Sequence, residues 1–110
     1  MKSPRQAFRP SLVEGTIKAR EALAAQTYDS VLVKAALSAE AAKGFASCVI
    51  STAEPVDLRA TAAAKAIEAW LARERLQTSW SRRPDPARSY DLASGFWDLV
   101  ITWDLSRDQA

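Results

Sequence analysis

The chain has 110 residues, a formal net charge of +2 and no histidine. This length fits one domain, and the 48% hydrophobic and 25% charged residues are typical of a folded globular protein. The missing histidine excludes a Ser-His-Asp triad, a Cys-His pair and any zinc site with a histidine ligand. A single cysteine, Cys48, allows no internal disulfide, so we expect a reducing, cytoplasmic location.

The N-terminal residues 1–10 are predicted to form a flexible basic arm. Residues 1–10 carry three basic residues and no acid, and they include Pro4 and Pro10; proline interrupts regular helix. Ser11 and Glu14 then have the spacing of a capping box, which predicts that the first helix begins at Ser11.

The middle of the chain predicts two further helices with a strand between them. Asp29 or Ser30 is a suitable cap for the second helix, and Gly44 is a typical stop signal. Residues 45–51 are short, apolar and partly β-branched, which favours a buried strand. Pro55 has the place of a first helical residue, so the third helix is predicted from there to about Leu76.

Two more strands are predicted near the C-terminus, over residues 77–83 and 96–104. The second has strict alternation, and one of its faces is formed by Trp97, Leu99, Ile101 and Trp103. Pro84 and Pro86 interrupt regular structure between the two strands, which leaves a loop of about 12 residues.

The predicted order is α-α-β-α-β-β, which indicates an α+β fold. We expect a two-layer sandwich in which three helices pack on one face of a small, three-stranded, mostly antiparallel sheet, with the last strand between the first two. The domain would span residues 11–105, followed by a polar tail over 106–110. The other sheet face would stay open, which predicts pairing into a homodimer.

The C-terminal part of this pattern runs from Ala69 to Trp103. It passes from a helix through Thr78-Ser79-Trp80-Ser81 and a charged loop to a strand that ends in Thr102-Trp103. In this order it resembles the C-terminal halves of small uncharacterised proteins from tailed phages, over about a third of the chain. The resemblance implies a phage or mobile-element origin and carries no assigned activity or site residues.

An arginine-rich segment with an aromatic residue is the strongest candidate for a binding site. Residues 73–88 have a local charge of +3, and Trp80 is flanked there by polar residues. Tryptophan and arginine are enriched at binding hot spots. We predict a partner-binding surface that comprises Trp80, Arg82, Arg83, Arg88, Tyr90 and Phe96. The alternative interpretation is that Trp80 covers the sheet edge and that the arginines are simply solvated.

The side chains that could support catalysis do not form a recognisable pattern. Asp98 and Asp104 share one face of the predicted strand, but their spacing of six residues separates them by about 20 Å. They are therefore expected on a solvated sheet face rather than around one metal ion. Cys48 has no histidine to activate it. We expect no enzymatic activity, no metal and no cofactor.

Two functions remain. The first is a small non-enzymatic protein-interaction module, encoded by a phage or mobile element, that binds and modulates a host or self protein. The alternative is nucleic-acid binding, in which residues 73–88 and the basic arm neutralise phosphates while Trp80 stacks on a base. The nearly balanced net charge favours the first. No membrane association is expected, because no apolar run reaches about 20 residues.

Overall fold

A computed structural model of the chain describes residues 4–88 and 95–106, with side chains over 8–87 and 95–106. It contains three α-helices, α1 (Pro4–Thr27), α2 (Ser30–Ala42) and α3 (Ala62–Arg73). The strands are β1 (Ser47–Ile50), β2 (Gln77–Arg83) and β3 (Phe96–Thr102), with a short 3-10 helix at Pro86–Arg88. The predicted order α-α-β-α-β-β and the α+β class are confirmed.

The last strand, β3, lies in the middle of the sheet. The strand order is β1-β3-β2, and β3 is antiparallel to both neighbours. Ile101 faces Cys48 on one side and Thr78 on the other, while Leu99 faces Trp80. This central position explains the apolar alternation of β3, because a middle strand has no free edge and is covered on its helix-facing side.

The hydrophobic core lies between the helices and one face of this sheet. Leu99 and Ile101 are completely buried on that face. All three helices contribute buried residues to the same cluster, which comprises Ala24, Tyr28, Val33, Leu58, Ala64, Ile67, Leu71, Leu99 and Ile101. The predicted two-layer arrangement is therefore present, with the opposite face of the sheet uncovered by helices.

The first helix begins earlier than the sequence predicted. Residues 4–10, which we expected in a flexible arm, form the first turns of α1, and Pro10 lies inside the helix. Ser11 is consequently an interior residue and not a cap. Proline has a backbone φ that suits a helix, and its cost is the lost hydrogen bond and the crowding of one preceding carbonyl. The expectation of a boundary at Pro10 was therefore wrong.

The third helix begins later than predicted, at Ala62 instead of Pro55. The side chain of Asp57 accepts hydrogen bonds from the backbone N–H and the guanidinium of Arg59. Such local bonds offer the backbone an alternative to helix. The irregular segment also buries Leu58 completely, so packing favours this conformation as well.

Capping residues fix the ends of the helices. The Asp29 carboxylate accepts hydrogen bonds from the first backbone N–H groups of α2, as predicted, and Gly44 has a positive φ of 94° just beyond its end. At α3 the cap is Thr61, whose hydroxyl accepts from Ala64 N–H and donates to the Leu58 carbonyl at 2.6 Å.

A carboxylate of α1 also reaches the start of α3. The two Glu21 oxygens accept a hydrogen bond from the Ala62 backbone N–H at 3.0 and 3.3 Å. A negative charge is stabilising at a helix N-terminus, where free N–H groups carry partial positive charge. This bond links the C-terminal half of α1 to α3. Within the described ranges, no helix is long and apolar enough to span a membrane.

Replacement of Thr61 by alanine tests the cap of α3. Thr61→Ala removes both hydroxyl bonds at a buried position, and we expect the free energy of unfolding to fall by about 1–2 kcal/mol. Thr61→Ser keeps the hydroxyl and is expected to retain most of this stability. Urea denaturation followed by circular dichroism measures both variants, and equal losses would contradict a capping role.

Candidate functional site

Trp80, the centre of the predicted binding surface, lies on the helix-facing side of the sheet. Its indole packs edge-on against the Tyr28 ring, with centroids 5.9 Å apart and an interplanar angle of 83°. The indole N–H donates to the Glu68 carboxylate of α3 at 3.2 Å. An edge-on aromatic pair contributes beyond its buried area. These contacts make Trp80 a packing residue between β2 and the helices.

Tyr28 is the buried partner in this contact. Burial raises the pKa of its hydroxyl to about 12, and the negative charges of Asp57, Asp98 and Glu68 add to the shift. The hydroxyl has no hydrogen-bond partner among the described residues. Tyr28 therefore stays neutral over the physiological range and contributes through its ring.

Arg83 and Phe96 lie together on the open face of the sheet. The Arg83 guanidinium lies over the Phe96 ring at 4.3 Å and donates to both carboxylate oxygens of Asp98, at 3.2 and 3.4 Å. Asp98 is 9% exposed, so the expectation that this carboxylate is simply solvated was wrong. The reason is that the Arg83 guanidinium bonds to both of its oxygens.

The other predicted site residues do not join this pair into one surface. Arg82 lies opposite Trp97, on the helix-facing side of the strand. Gly95, which has a φ of 148°, lies close to this side chain. A Cβ atom added to Gly95 would be only 3.0 Å from the Arg82 Nε. Arg88 contributes backbone to the 3-10 helix, but its side chain, like the whole of Tyr90, lies outside the described residues. The predicted patch is thus divided between two sheet faces.

A second arginine stack was not anticipated. The Arg59 guanidinium lies 3.5 Å from the centre of the Trp97 ring and forms an ion pair with Asp57 at 2.8 Å. Hydrogen bonds from Arg59 lower the pKa of the Asp57 carboxyl, with partial burial opposing the shift. The stack joins the irregular segment before α3 to the beginning of β3, which indicates a structural role.

The described residues hold no cluster of metal-ligating side chains, and Cys48 is a buried thiol. No group of three or more carboxylate or cysteine side chains within them could hold a metal ion. Burial raises the pKa of the Cys48 thiol, with Glu40 adding to the effect, which disfavours the reactive thiolate. An open groove of about 600 Å³ near the end of α2 is lined in part by Leu37, Leu76 and Trp103.

Four large exposed apolar side chains lie on α1. They are in its N-terminal half and are exposed to the extent of 65% for Phe8, 54% for Leu12, 49% for Val13 and 56% for Ile17. Every residue from Phe8 to Arg20 is exposed. Groups of exposed apolar side chains commonly mark an interaction site. We call these four residues the α1 apolar surface.

Sequence reasoning missed this surface because it assumed that apolar periodicity means burial in the same chain. Val13 and Ile17 continue the stripe of Ala24, which is buried, so the pattern alone predicts packing for all three. Leu12 lies on another side of the helix. Apolar residues on two sides of one helix were the signal in the sequence that could have predicted this surface. A helix that must pack only once needs a single stripe.

Replacement of Trp80 by alanine tests whether this side chain packs against the helices. We expect Trp80→Ala to lower the free energy of unfolding by about 2–3 kcal/mol, because the contacts with Tyr28 and Glu68 are lost. Ser81→Ala, at an exposed neighbouring position, is expected to change it by less than about 0.5 kcal/mol. Thermal and urea unfolding test both, and an unchanged stability in Trp80→Ala would contradict the packing role.

The Arg59–Asp57 pair predicts a pH dependence. Because the pKa of Asp57 is lowered in the folded protein, the stability it contributes is present above its unfolded pKa of about 3.9 and is lost as the pH falls through the folded pKa. Asp57→Asn should therefore have a lower free energy of unfolding than the unsubstituted protein at neutral pH. This difference should shrink below about pH 4. Urea unfolding across this range measures it; a constant difference would contradict the prediction.

Comparisons with known proteins found no relative of this chain. No protein-family model matches the chain, and no curated protein or solved structure is significantly similar to it.

Proposed function

We propose that this protein is a small non-enzymatic protein-interaction module that binds through the α1 apolar surface. The setting we propose is a phage or mobile-element protein that binds and modulates a host or self protein, which rests on the resemblance of residues 69–103. The observation that carries the proposal is the exposure of Phe8, Leu12, Val13 and Ile17 on one projecting half-helix.

The position of α1 supports this proposal. The C-terminal half is anchored, because Ala24 and Tyr28 are buried and Glu21 bonds to the start of α3. The helix has 24 residues, so it is about 36 Å long, and its N-terminal half extends beyond these anchors. The radius of gyration of 17.5 Å exceeds the roughly 13 Å of a compact domain of this size, as a projecting helix requires.

The chemistry of this half-helix also fits a protein partner. Arg9, Glu14, Lys18 and Arg20 are exposed charged residues interspersed with the apolar ones. An apolar centre bordered by polar side chains is the usual composition of a protein interface. Complete burial of each large apolar side chain would contribute about 1.5–3 kcal/mol, which is enough for four such residues to support binding.

Nucleic-acid binding is less well supported by the same structure. Arg83 is ion paired with Asp98, and Trp80 is packed against Tyr28. A phosphate would therefore compete with Asp98 for Arg83, and a base would have to displace the packing of Trp80. The nucleic-acid hypothesis would require a strong salt dependence of affinity, which a fluorescence-polarisation titration with DNA and RNA would detect.

The proposed function is tested by affinity capture with matched variants. The tagged chain is compared with Leu12→Asp and Ile17→Asp, which place a charge on either side of α1 without removing a packed residue. We expect a stoichiometric protein to be recovered with the unsubstituted chain and reduced at least about tenfold with one of the variants. The three chains should have the same melting temperature, which shows that the substitutions leave the fold intact. Equal recovery by all three, or no specific protein with any, would contradict the proposal.

A further inference from the structure

We propose that one side of α1 pairs with the same side of a second copy of this chain, in an antiparallel two-helix contact. The surface consists of Phe8, Leu12, Gly15, Ala19 and Ala22, which we call the outer stripe. This inference rests on the proposed function, because it names the partner of part of the α1 apolar surface. It assigns the side of α1 with Phe8 and Leu12 to a second copy of the chain and leaves the side with Val13 and Ile17 for another protein.

The spacing of the outer stripe is that of a coiled-coil seam. Its members follow one another at intervals of four, three, four and three residues. This alternation keeps side chains on one side of two helices that wind around each other. All five residues are exposed in the single chain, so the seam has no partner among the described residues.

The outer stripe lies on the side of α1 that points away from the rest of the domain. With 3.6 residues per turn, Ala22 is on the opposite side of the helix from Ala24. Ala24 is buried, whereas Ala22, Ala25 and Gln26 remain exposed at the same level of the helix. Two copies can therefore bring their outer stripes together while the two domains stay on the outside of the pair.

The stripe is complementary to itself when the second helix runs in the opposite direction. Its first half has the large residues Phe8 and Leu12, and its second half has the small residues Gly15 and Ala19. An antiparallel pair centred between residues 13 and 14 places Phe8 against Ala19 of the other copy and Leu12 against Gly15. A Cβ at Gly15 would meet nothing within 4 Å, so there is space for that leucine.

The charges beside the stripe are compatible with this orientation. In an antiparallel pair, Arg9 is next to Thr16 of the other copy, and Lys18 is next to Ser11, so no like charges meet at these flanking positions. The sizes of the stripe residues disfavour the parallel orientation. A parallel pair would stack Phe8 on Phe8 and leave a gap between the two Gly15 residues. The two-fold antiparallel contact avoids both costs.

The size of the contact sets the expected affinity. The part of the stripe from Phe8 to Ala19 extends for about 17 Å along the helix, and a single pair of helices of this length covers less than the usual interface of about 800 Å² per partner. We therefore expect a dimer that dissociates in the micromolar range, rather than a permanent one.

Sedimentation equilibrium of the pure full chain, from low micromolar to several hundred micromolar, tests the pairing. The unsubstituted chain should shift from monomer to dimer with concentration. Leu12→Asp should weaken the dimer at least about tenfold, because two carboxylates enter the seam. Ala66→Asp introduces the same charge at an exposed position of α3, away from the seam and from the α1 apolar surface, and should leave the dissociation constant within about twofold.

A reciprocal exchange tests the orientation. Gly15→Leu should weaken the dimer by filling the space that receives Leu12, and Leu12→Ala should weaken it by removing that side chain. The double variant, with both changes, should recover at least part of the affinity, since the large and small positions are exchanged. A stronger dimer in Gly15→Leu alone would indicate parallel pairing and would overturn the proposal.

A pure chain that remains monomeric at every concentration would also overturn the inference. The proposed function would survive that result if affinity capture still recovered another protein and Leu12→Asp or Ile17→Asp abolished the recovery. Failure of the capture experiment together with a monomeric chain would reject both. Circular dichroism of each variant at equal concentration checks that α1 and the domain remain folded.

Discussion

The structure depends on the position of β3 between β1 and β2. Within residues 4–88 and 95–106, neither outer strand pairs with any strand other than β3, so β3 supplies the hydrogen bonds that hold this sheet together. The same strand supplies Leu99 and Ile101, two of the completely buried side chains at the centre of the core. Backbone pairing and hydrophobic burial thus converge on seven residues. α2 and α3 are placed by their contacts with β1 and β2, and α1 is placed by its contact with α3.

The three helices differ in how fully they are committed to that core. α3 buries Ala64, Ile67 and Leu71 over its whole length, and its start is fixed by Thr61 and by the carboxylate of Glu21. α1 is held only through its C-terminal part. The Glu21 carboxylate, which bonds to the start of α3, therefore also holds the C-terminal half of α1 in place. The exposed apolar side chains of the N-terminal half consequently lie at a defined distance from the sheet.

The strands could be predicted from the sequence because their signals are local. Strict alternation around Leu99 and Ile101 predicted both the location of β3 and its inward face, and its apolar character predicted a central place. The helix starts at Pro10 and Pro55 were mistaken for a different reason. Proline is a strong local signal, but its φ suits a helix, and Pro10 lies inside α1. After Pro55, the bonds between Asp57 and Arg59 and the burial of Leu58 favour an irregular segment. The predicted binding patch was affected similarly, since polar neighbours in the sequence hide that Trp80 faces the helices.

The β1-β3-β2 order also has a consequence for how the chain is made. A ribosome releases β1 and β2 before β3, so both outer strands emerge without the strand that pairs with them. Until Thr102 has left the ribosome, the apolar side chains of α2 and α3 have no complete sheet to cover. Folding of the sheet is then a step that follows synthesis of its middle strand, and the unpaired strands before that moment are the species most exposed to aggregation.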